Sequence, residues 1–208
     1  MLNNAAARKA VSGAVDPLAR GLLRIGLSPD AVTVIGTVGT CAAALWFFPR
    51  EQWVVGTLII TALVISDLLD GTMARMSGRS GPWGAFLDST LDRVADGAIF
   101  GGVVLGLAHA GDMLSAAAAL LALVGGGVVS YAKARAESIG VECNVGIAER
   151  AERIIVLLLA VFLTGLGVPY VLPVAVWLLA ALTWITVGQR ILHVRRQLRT
   201  VATPEDAA

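Results

Sequence analysis

The sequence predicts an all-α integral membrane protein with six transmembrane helices behind an N-terminal amphipathic juxtamembrane segment, both termini cytoplasmic. Three observations carry this. Hydrophobic residues fill 57% of the 208 positions and charged residues only 15%, against roughly a quarter charged in an ordinary soluble domain. Six largely apolar runs each approach the ~20 residues needed to cross hydrocarbon. If those runs alternate in direction, fifteen of the sixteen Lys and Arg residues fall on one side and Arg50 alone on the other. Positive charge collects on the cytoplasmic side, and an odd number of spans would send one terminal basic cluster outside.

Taken in order, residues 1–27 form the juxtamembrane segment, 28–199 the six-helix domain and 200–208 a polar tail containing "TPEDAA". Arg8, Lys9, Asp16, Arg20 and Arg24 break the first thirty residues, so nothing there reads as a cleavable signal. Leu18, Leu22, Leu23, Ile25 and Leu27 alternate with the basic residues, a pattern that lies along an anionic leaflet rather than crossing it. A solvated basic leader is the plain alternative, and Gly13, Pro17 and Gly21 interrupt a continuous surface helix. The first span, about Ala31 to Phe48, follows "SPD", where Ser28 can cap, Pro29 tolerates a first turn and Asp30 complements the helix N-terminus. The others run about Trp53 to Met76, Trp83 to Ala108, Met113 to Ala136, Glu149 to Leu166 and Tyr170 to Leu192. "FPREQW", "HAGD" and "TGLGVP" punctuate them. Glycines cluster in the third and fourth spans, at Gly97, Gly101, Gly102 and Gly106 and at Gly125 to Gly127. Small residues permit close helix approach, either within one chain or in a homodimer. Cys41 and Cys143 fit neither a disulfide framework nor a zinc spacing.

The stretch "SDLLDGTMARMSGRSGPWGAFLDSTLDR" sets carboxylates into sequence otherwise fit for lipid. Positions three and four apart share a helix face, so Asp67, Asp70, Gly71 and Ala74 form one stripe and Gly84, Asp88, Asp92 and Asp96 another, a short turn away. Clustered carboxylates near hydrocarbon repel unless they protonate or gather around cations. No histidine or cysteine accompanies them, which favours a hard oxygen-liganded ion, Mg2+ with Mn2+ or Ca2+ as alternatives. Two such ions would clamp phosphate oxygens during displacement at phosphorus. Gly71, Ala74 and Gly84 leave room for something bulky. The plain alternative, ion pairs with Arg75, Arg79 and Arg93, leaves five aspartates facing three arginines.

These residues resemble the signature of the CDP-alcohol phosphatidyltransferases, D-x-x-D-G-x-x-A-R, eight residues, then G-x-x-x-D-x-x-x-D. The chain reads "DLLDGTMAR", "MSGRSGPW" and "GAFLDSTLD", with every fixed position at its spacing. The resemblance implies an enzyme of the bilayer that joins the phosphatidyl group of CDP-diacylglycerol to an alcohol and releases CMP. It implies that Asp67, Asp70 and Asp88 bind metal, and that Asp92 lies at the same centre as general base. Gly71, Ala74, Arg75 and Gly84 match positions that hold the cytidine diphosphate, and "SPDAVT" puts Pro29 and Thr33 near it.

A second constellation, "SYAKARAESIGVECNVGIAERAER", holds Lys133, Arg135, Arg150 and Arg153. Basic residues at a helix start oppose the macrodipole, and Glu149, Glu152 or anionic headgroups could offset them. An anion pocket for an acceptor that already bears phosphate is the functional reading. "AKARAE" and "VGIAERAER" resemble the actinobacterial members of the family that use inositol phosphate, 1D-myo-inositol 3-phosphate, as acceptor. That resemblance assigns Lys133, Arg135 and Arg153 to its phosphate, with Arg195 a further candidate among Arg190, Arg195 and Arg196. Glycerol 3-phosphate, as in phosphatidylglycerophosphate synthesis, is the competing phosphorylated polyol. A small transporter or scaffold with a metal-stabilised core is the reading from another class. No nucleic-acid partner is expected, because membrane boundaries and one headgroup pocket account for the basic residues.

Overall fold

The structure is a computed structural model that describes residues 16–78 and 81–201, apart from the side chains of 67, 68, 200 and 201. The first fifteen residues of the expected amphipathic segment, Arg79 and the end of the polar tail lie outside the described residues. Every regular element among those described is helical. Residues 16–24 form α1. Then come α2 (Pro29–Phe47), a single 3-10 turn (Phe48–Arg50), α3 (Trp53–Met76), α4 (Pro82–His109), α5 (Met113–Ser138), α6 (Arg150–Gly165) and α7 (Val171–Val201). The ends fall close to those expected from the apolar runs. The exception is α7, which continues through the basic "QRILHVRRQLR" because an amphipathic helix persists beyond its apolar part.

Among the described residues, four helical stretches are long and apolar enough to cross a membrane: Pro29–Arg50, Trp53–Met76, Met113–Ser138 and Val171–Arg199. The other two long helices fall short for identifiable reasons. α4 carries Asp88, Asp92, Arg93 and Asp96 in its first half, and α6 has only 16 residues. Leu18 on α1 and Ile25 in the turn just after it are both exposed, while Arg20 and Arg24 fall away from Leu18 around the helix.

Local signals explain the helix starts. Ser28 Oγ accepts the Ala31 N–H at 3.2 Å to begin α2. Asp112 Oδ1 accepts the Ser115 N–H at 3.0 Å to begin α5. Glu152 reaches back to the Glu149 N–H at 2.6 Å to begin α6. That bond closes a capping box between Glu149 and Glu152 and puts two carboxylates at the positive end of the helix.

The chain divides into two compact units, and the divisions fall at the end of α2 and inside α3 and α4. The first contains α1, α2 and Val55–Ile99. Here α2 approaches α3 at Gly39, where a Cβ would sit 3.2 Å from a Leu63 methyl. The second contains Phe48–Val54 and the chain from Phe100. Its centre is the pairing of α5 with α7. A Cβ at Gly125 would lie 2.8 Å from Thr183 Cγ2, and Trp184 Nε1 donates to Leu121 O at 3.2 Å. The small residue is what lets these helices touch. The segment between α5 and α6 is tied to α7 by polar side chains. Thr186 Oγ1 accepts the Ile147 and Ala148 N–H groups at 3.3 and 3.2 Å. Arg190 donates to Val145 O at 2.9 Å and to Val129 O at 2.6 Å. Backbone groups of a loop packed among apolar helices need such partners, because an unmet one costs about 1–3 kcal/mol.

Candidate active site

Within the first unit, three helix ends meet around one cavity of about 350 Å³. The capped start of α2 contributes Pro29, Asp30 and Thr33. The last turns of α3 bring Asp70, Gly71, Ala74 and Arg75, and the approach to and first turns of α4 bring Gly81, Gly84, Ala85 and Asp88. All six residues expected to hold the cytidine diphosphate therefore line one space with two of the expected metal-binding aspartates.

Hydrogen bonds fix this arrangement. Thr33 Oγ1 donates to Asp70 Oδ2 at 2.5 Å and lies 3.1 Å from Pro29 O. Both Thr33 and Asp70 are buried, so the bond orients a carboxylate that water scarcely reaches. Trp83 Nε1 donates to Asp30 Oδ2 at 3.0 Å and ties the start of α4 to that of α2. Arg75 Nη2 donates to Thr72 Oγ1 at 2.9 Å, a hydroxyl on its own helix. The glycines provide the room: a Cβ on Gly84 would meet nothing within 4 Å, and one on Gly71 only Arg75 Nη1 at 3.7 Å.

Asp92 stands one helical turn beyond Asp88 and is absent from the cavity lining. Arg93 lies 3.7 Å from Asp92 and 3.6 Å from Asp96. Asp96, which is buried, thus takes the role of a partner to Arg93. Asp67 lies on α3, and its side chain is outside the described residues. Among the described residues no group of three His, Cys, Asp or Glu stands ready to hold a metal. The donor chemistry nevertheless fits a hard divalent cation: Asp30, Asp70 and Asp88 line the cavity, and no histidine or cysteine does. Like-charged carboxylates around one space repel unless a cation lies between them.

The expected acceptor residues all lie in the second unit, and the structure divides them. Arg153 is buried, donates to Ala148 O at 2.8 Å and packs its guanidinium over Gly126, where a Cβ would sit 3.2 Å from Nε. Lys133 is seven residues from Gly126 on the same face of α5 and pairs with Glu137 at 3.9 Å. Arg135 is two residues further and faces away, into a separate groove shared with Arg195. Sequence reasoning did not assign cavity roles to Asp30, Gly81 or Ala85. Asp30 reads simply as a helix-start acid, and nothing local says that its carboxylate faces a space formed by helices fifty residues away.

The family model for CDP-alcohol phosphatidyltransferases matches residues 27–188. The chain belongs to the CDP-alcohol phosphatidyltransferase family. It is an enzyme of that class, with its signature aspartates, glycines and Arg75 on the facing ends of α3 and α4. Among its relatives is the phosphatidylinositol phosphate synthase of Streptomyces avermitilis, 48% identical over 202 residues, a match covering 93% of this chain and 83% of that protein. The synthase of Mycobacterium marinum is 46% identical over 196 residues, covering 90% and 82%. A crystal structure of Mycobacterium tuberculosis phosphatidylinositol phosphate synthase with CDP-DAG bound superposes with a TM-score of 0.83 at 42% identity, covering 86% of this chain and 92% of that one. The same enzyme in complex with manganese and citrate gives 0.83 as well, covering 86% and 88%.

Proposed function

We propose that this phosphatidyltransferase moves the phosphatidyl group of CDP-diacylglycerol onto inositol phosphate, giving phosphatidylinositol phosphate and CMP. The observation that supports this most directly is the cavity where Pro29, Thr33, Gly71, Ala74, Arg75 and Gly84 surround Asp70 and Asp88. Relatives at 42–48% identity named for that synthesis support the choice of acceptor. Two divalent ions, Mg2+ or Mn2+, held by Asp67, Asp70, Asp88 and Asp92, would supply neutralisation of the diphosphate and of the CMP leaving group when bound. Thr33 holds Asp70 in one orientation, Arg75 offers a guanidinium to phosphate oxygens, and the open faces of Gly71 and Gly84 admit the nucleotide. Asp92 accepts the proton of the acceptor hydroxyl as that oxygen attacks the lipid-side phosphorus and the bond to the CMP oxygen breaks. No phosphatidyl-enzyme forms in this single displacement.

Lys133 and Arg153 are the residues we assign to the acceptor phosphate, since one face of α5 carries both Lys133 and the glycine under Arg153. Six spans with both termini and the active site at the cytoplasmic face of the plasma membrane, and an α1 lying on that leaflet, form the topology. Its support is the distribution of fifteen basic residues against Arg50, together with the exposed apolar face of α1. A homodimer through α4 is the assembly: Gly97 and Gly101, four apart, meet no neighbour within 4 Å, whereas Gly106, Gly125 and Gly126 are already covered within the chain. The test offers purified protein CDP-diacylglycerol, Mg2+ and an equimolar mixture of inositol phosphate and glycerol 3-phosphate. Phosphatidylinositol phosphate and CMP in equal amounts are expected, with both lost on chelation. Phosphatidylglycerophosphate as the main product would overturn the acceptor assignment.

A further inference from the structure

The reaction described above does not use the groove on the second unit that Arg135 and Arg195 share. It runs between the C-terminal parts of α5 and α7 and has a volume of about 670 Å³, within the roughly 300–1,000 Å³ of sites that hold a small organic ligand. Ile139, Ile191 and Leu198 on its walls are 45%, 58% and 45% exposed. Arg135 and Arg195 come to the same groove, and among the described residues no Asp or Glu lines it. Arg190 at its base is buried and committed to the carbonyls of Val129 and Val145.

Arginine in a last helical turn offsets the macrodipole, which accounts for one such residue on each helix. It does not account for Arg135 and Arg195, from two helices, converging on one apolar groove that no carboxylate lines among the described residues, where like charges raise each other's energy until an anion joins them. A soluble polyol phosphate would satisfy the guanidiniums and leave the apolar walls wet. A second copy docked about a twofold axis would set these arginines against their own equivalents. An amphiphile with a negative headgroup satisfies both walls and rim. We propose that this groove binds one anionic phospholipid of the surrounding bilayer, its phosphate between Arg135 and Arg195 and an acyl chain along Ile191 and Val194. The charge complementarity of an apolar groove whose charged residues, among those described, are all arginines selects this occupant. The site stands apart from the acceptor's identity and withdraws Arg135 and Arg195 from the acceptor pocket.

The test is native mass spectrometry of the full chain in detergent, titrated with phosphatidylglycerol or with phosphatidylcholine of the same acyl chains. Phosphatidylglycerol should bind about tenfold more tightly, the scale of one charge-assisted hydrogen bond. The double variant Arg135→Ala/Arg195→Ala should lose that preference, and Arg195→Lys should keep most of it. Lys133→Ala, on the other face of α5, and Asp70→Asn, in the reaction cavity, should retain it in full. Equal binding of the two lipids, or a preference untouched by the double variant, would overturn the proposal. Displacement of the lipid by inorganic phosphate would point to a soluble anion, and loss of a dimer mass in the double variant to a second copy. Either result also overturns it. Product identity in the acceptor competition is read separately, so one reading can fail without the other.

Discussion

Thr33→Val isolates what one hydrogen bond contributes to the reaction cavity. Valine has nearly the shape of threonine and removes only the hydroxyl that donates to Asp70 Oδ2 at 2.5 Å. Both residues are 8% exposed, so water does not simply replace the donor. A hydrogen bond to a charged partner is worth about 1.5–3 kcal/mol, and each 1.4 kcal/mol is about tenfold. The variant should therefore lose roughly tenfold to a hundredfold in kcat/KM for CDP-diacylglycerol. A positioning role further predicts that Thr33→Ser restores most of that loss, whereas a role in packing α2 would not. The assay is CMP release against CDP-lipid concentration at saturating Mg2+, with thermal unfolding followed in parallel. A change below about twofold in Thr33→Val, with the fold intact, would show that Asp70 needs no orienting donor.

Asp92→Asn should reduce turnover by about 10²–10⁴-fold, the usual contribution of a general base, while equilibrium binding of CDP-lipid persists. Parent-level CMP release would remove Asp92 from that role. Gly84→Leu should raise KM for CDP-diacylglycerol with little change in melting temperature, because its side chain would enter space where a Cβ meets nothing within 4 Å. An unchanged KM would mean that the substrate lies elsewhere. At the start of α5, hydrogen bonds from the Ser115 hydroxyl and N–H hold the Asp112 carboxyl below the usual carboxylate range. A lowered folded value stabilises the protein above the unfolded pKa of about 3.9, and that stability is lost as pH falls through the folded one. Asp112→Ala should thus lower the melting temperature at neutral pH, the loss of a cap costing about 1 kcal/mol. The difference should vanish once the pH has fallen below the lowered folded value, and a gap that persists in fully protonating acid would refute the electrostatic account.

Much of the helical framework is readable from local signals. The apolar runs place α2 to α6 to within a few residues, and "SPD" marks the cap at Ser28 that the structure contains. The signature in α3 and α4 carries the family because its spacing is helical: Asp70, Gly71 and Ala74 share a face whatever lies opposite. Less legible is which basic residue serves which purpose. Lys133 and Arg135 look alike in "AKARAE", yet two residues on a helix turn the side chain about 200°, so they enter different surroundings. Arg190 reads like any member of the basic run before Arg199. Only the carbonyls of Val129 and Val145, some fifty residues away, make it a buried strut.

The sequence by itself determined helix content, membrane character and the family chemistry, since composition, apolar run length and the fixed spacing of aspartates and glycines are properties of the chain along one dimension. Tertiary structure alone decided that Thr33 bonds Asp70, that Asp30 joins the cavity beside Trp83, and that Arg135 and Arg195 share a groove while Arg190 is spent on backbone carbonyls. The physical reason is that a hydrogen bond or a cavity wall depends on distances of a few ångströms between residues far apart in the chain. Those distances are set by how closely the helices can pack, at places such as Gly39 and Gly125.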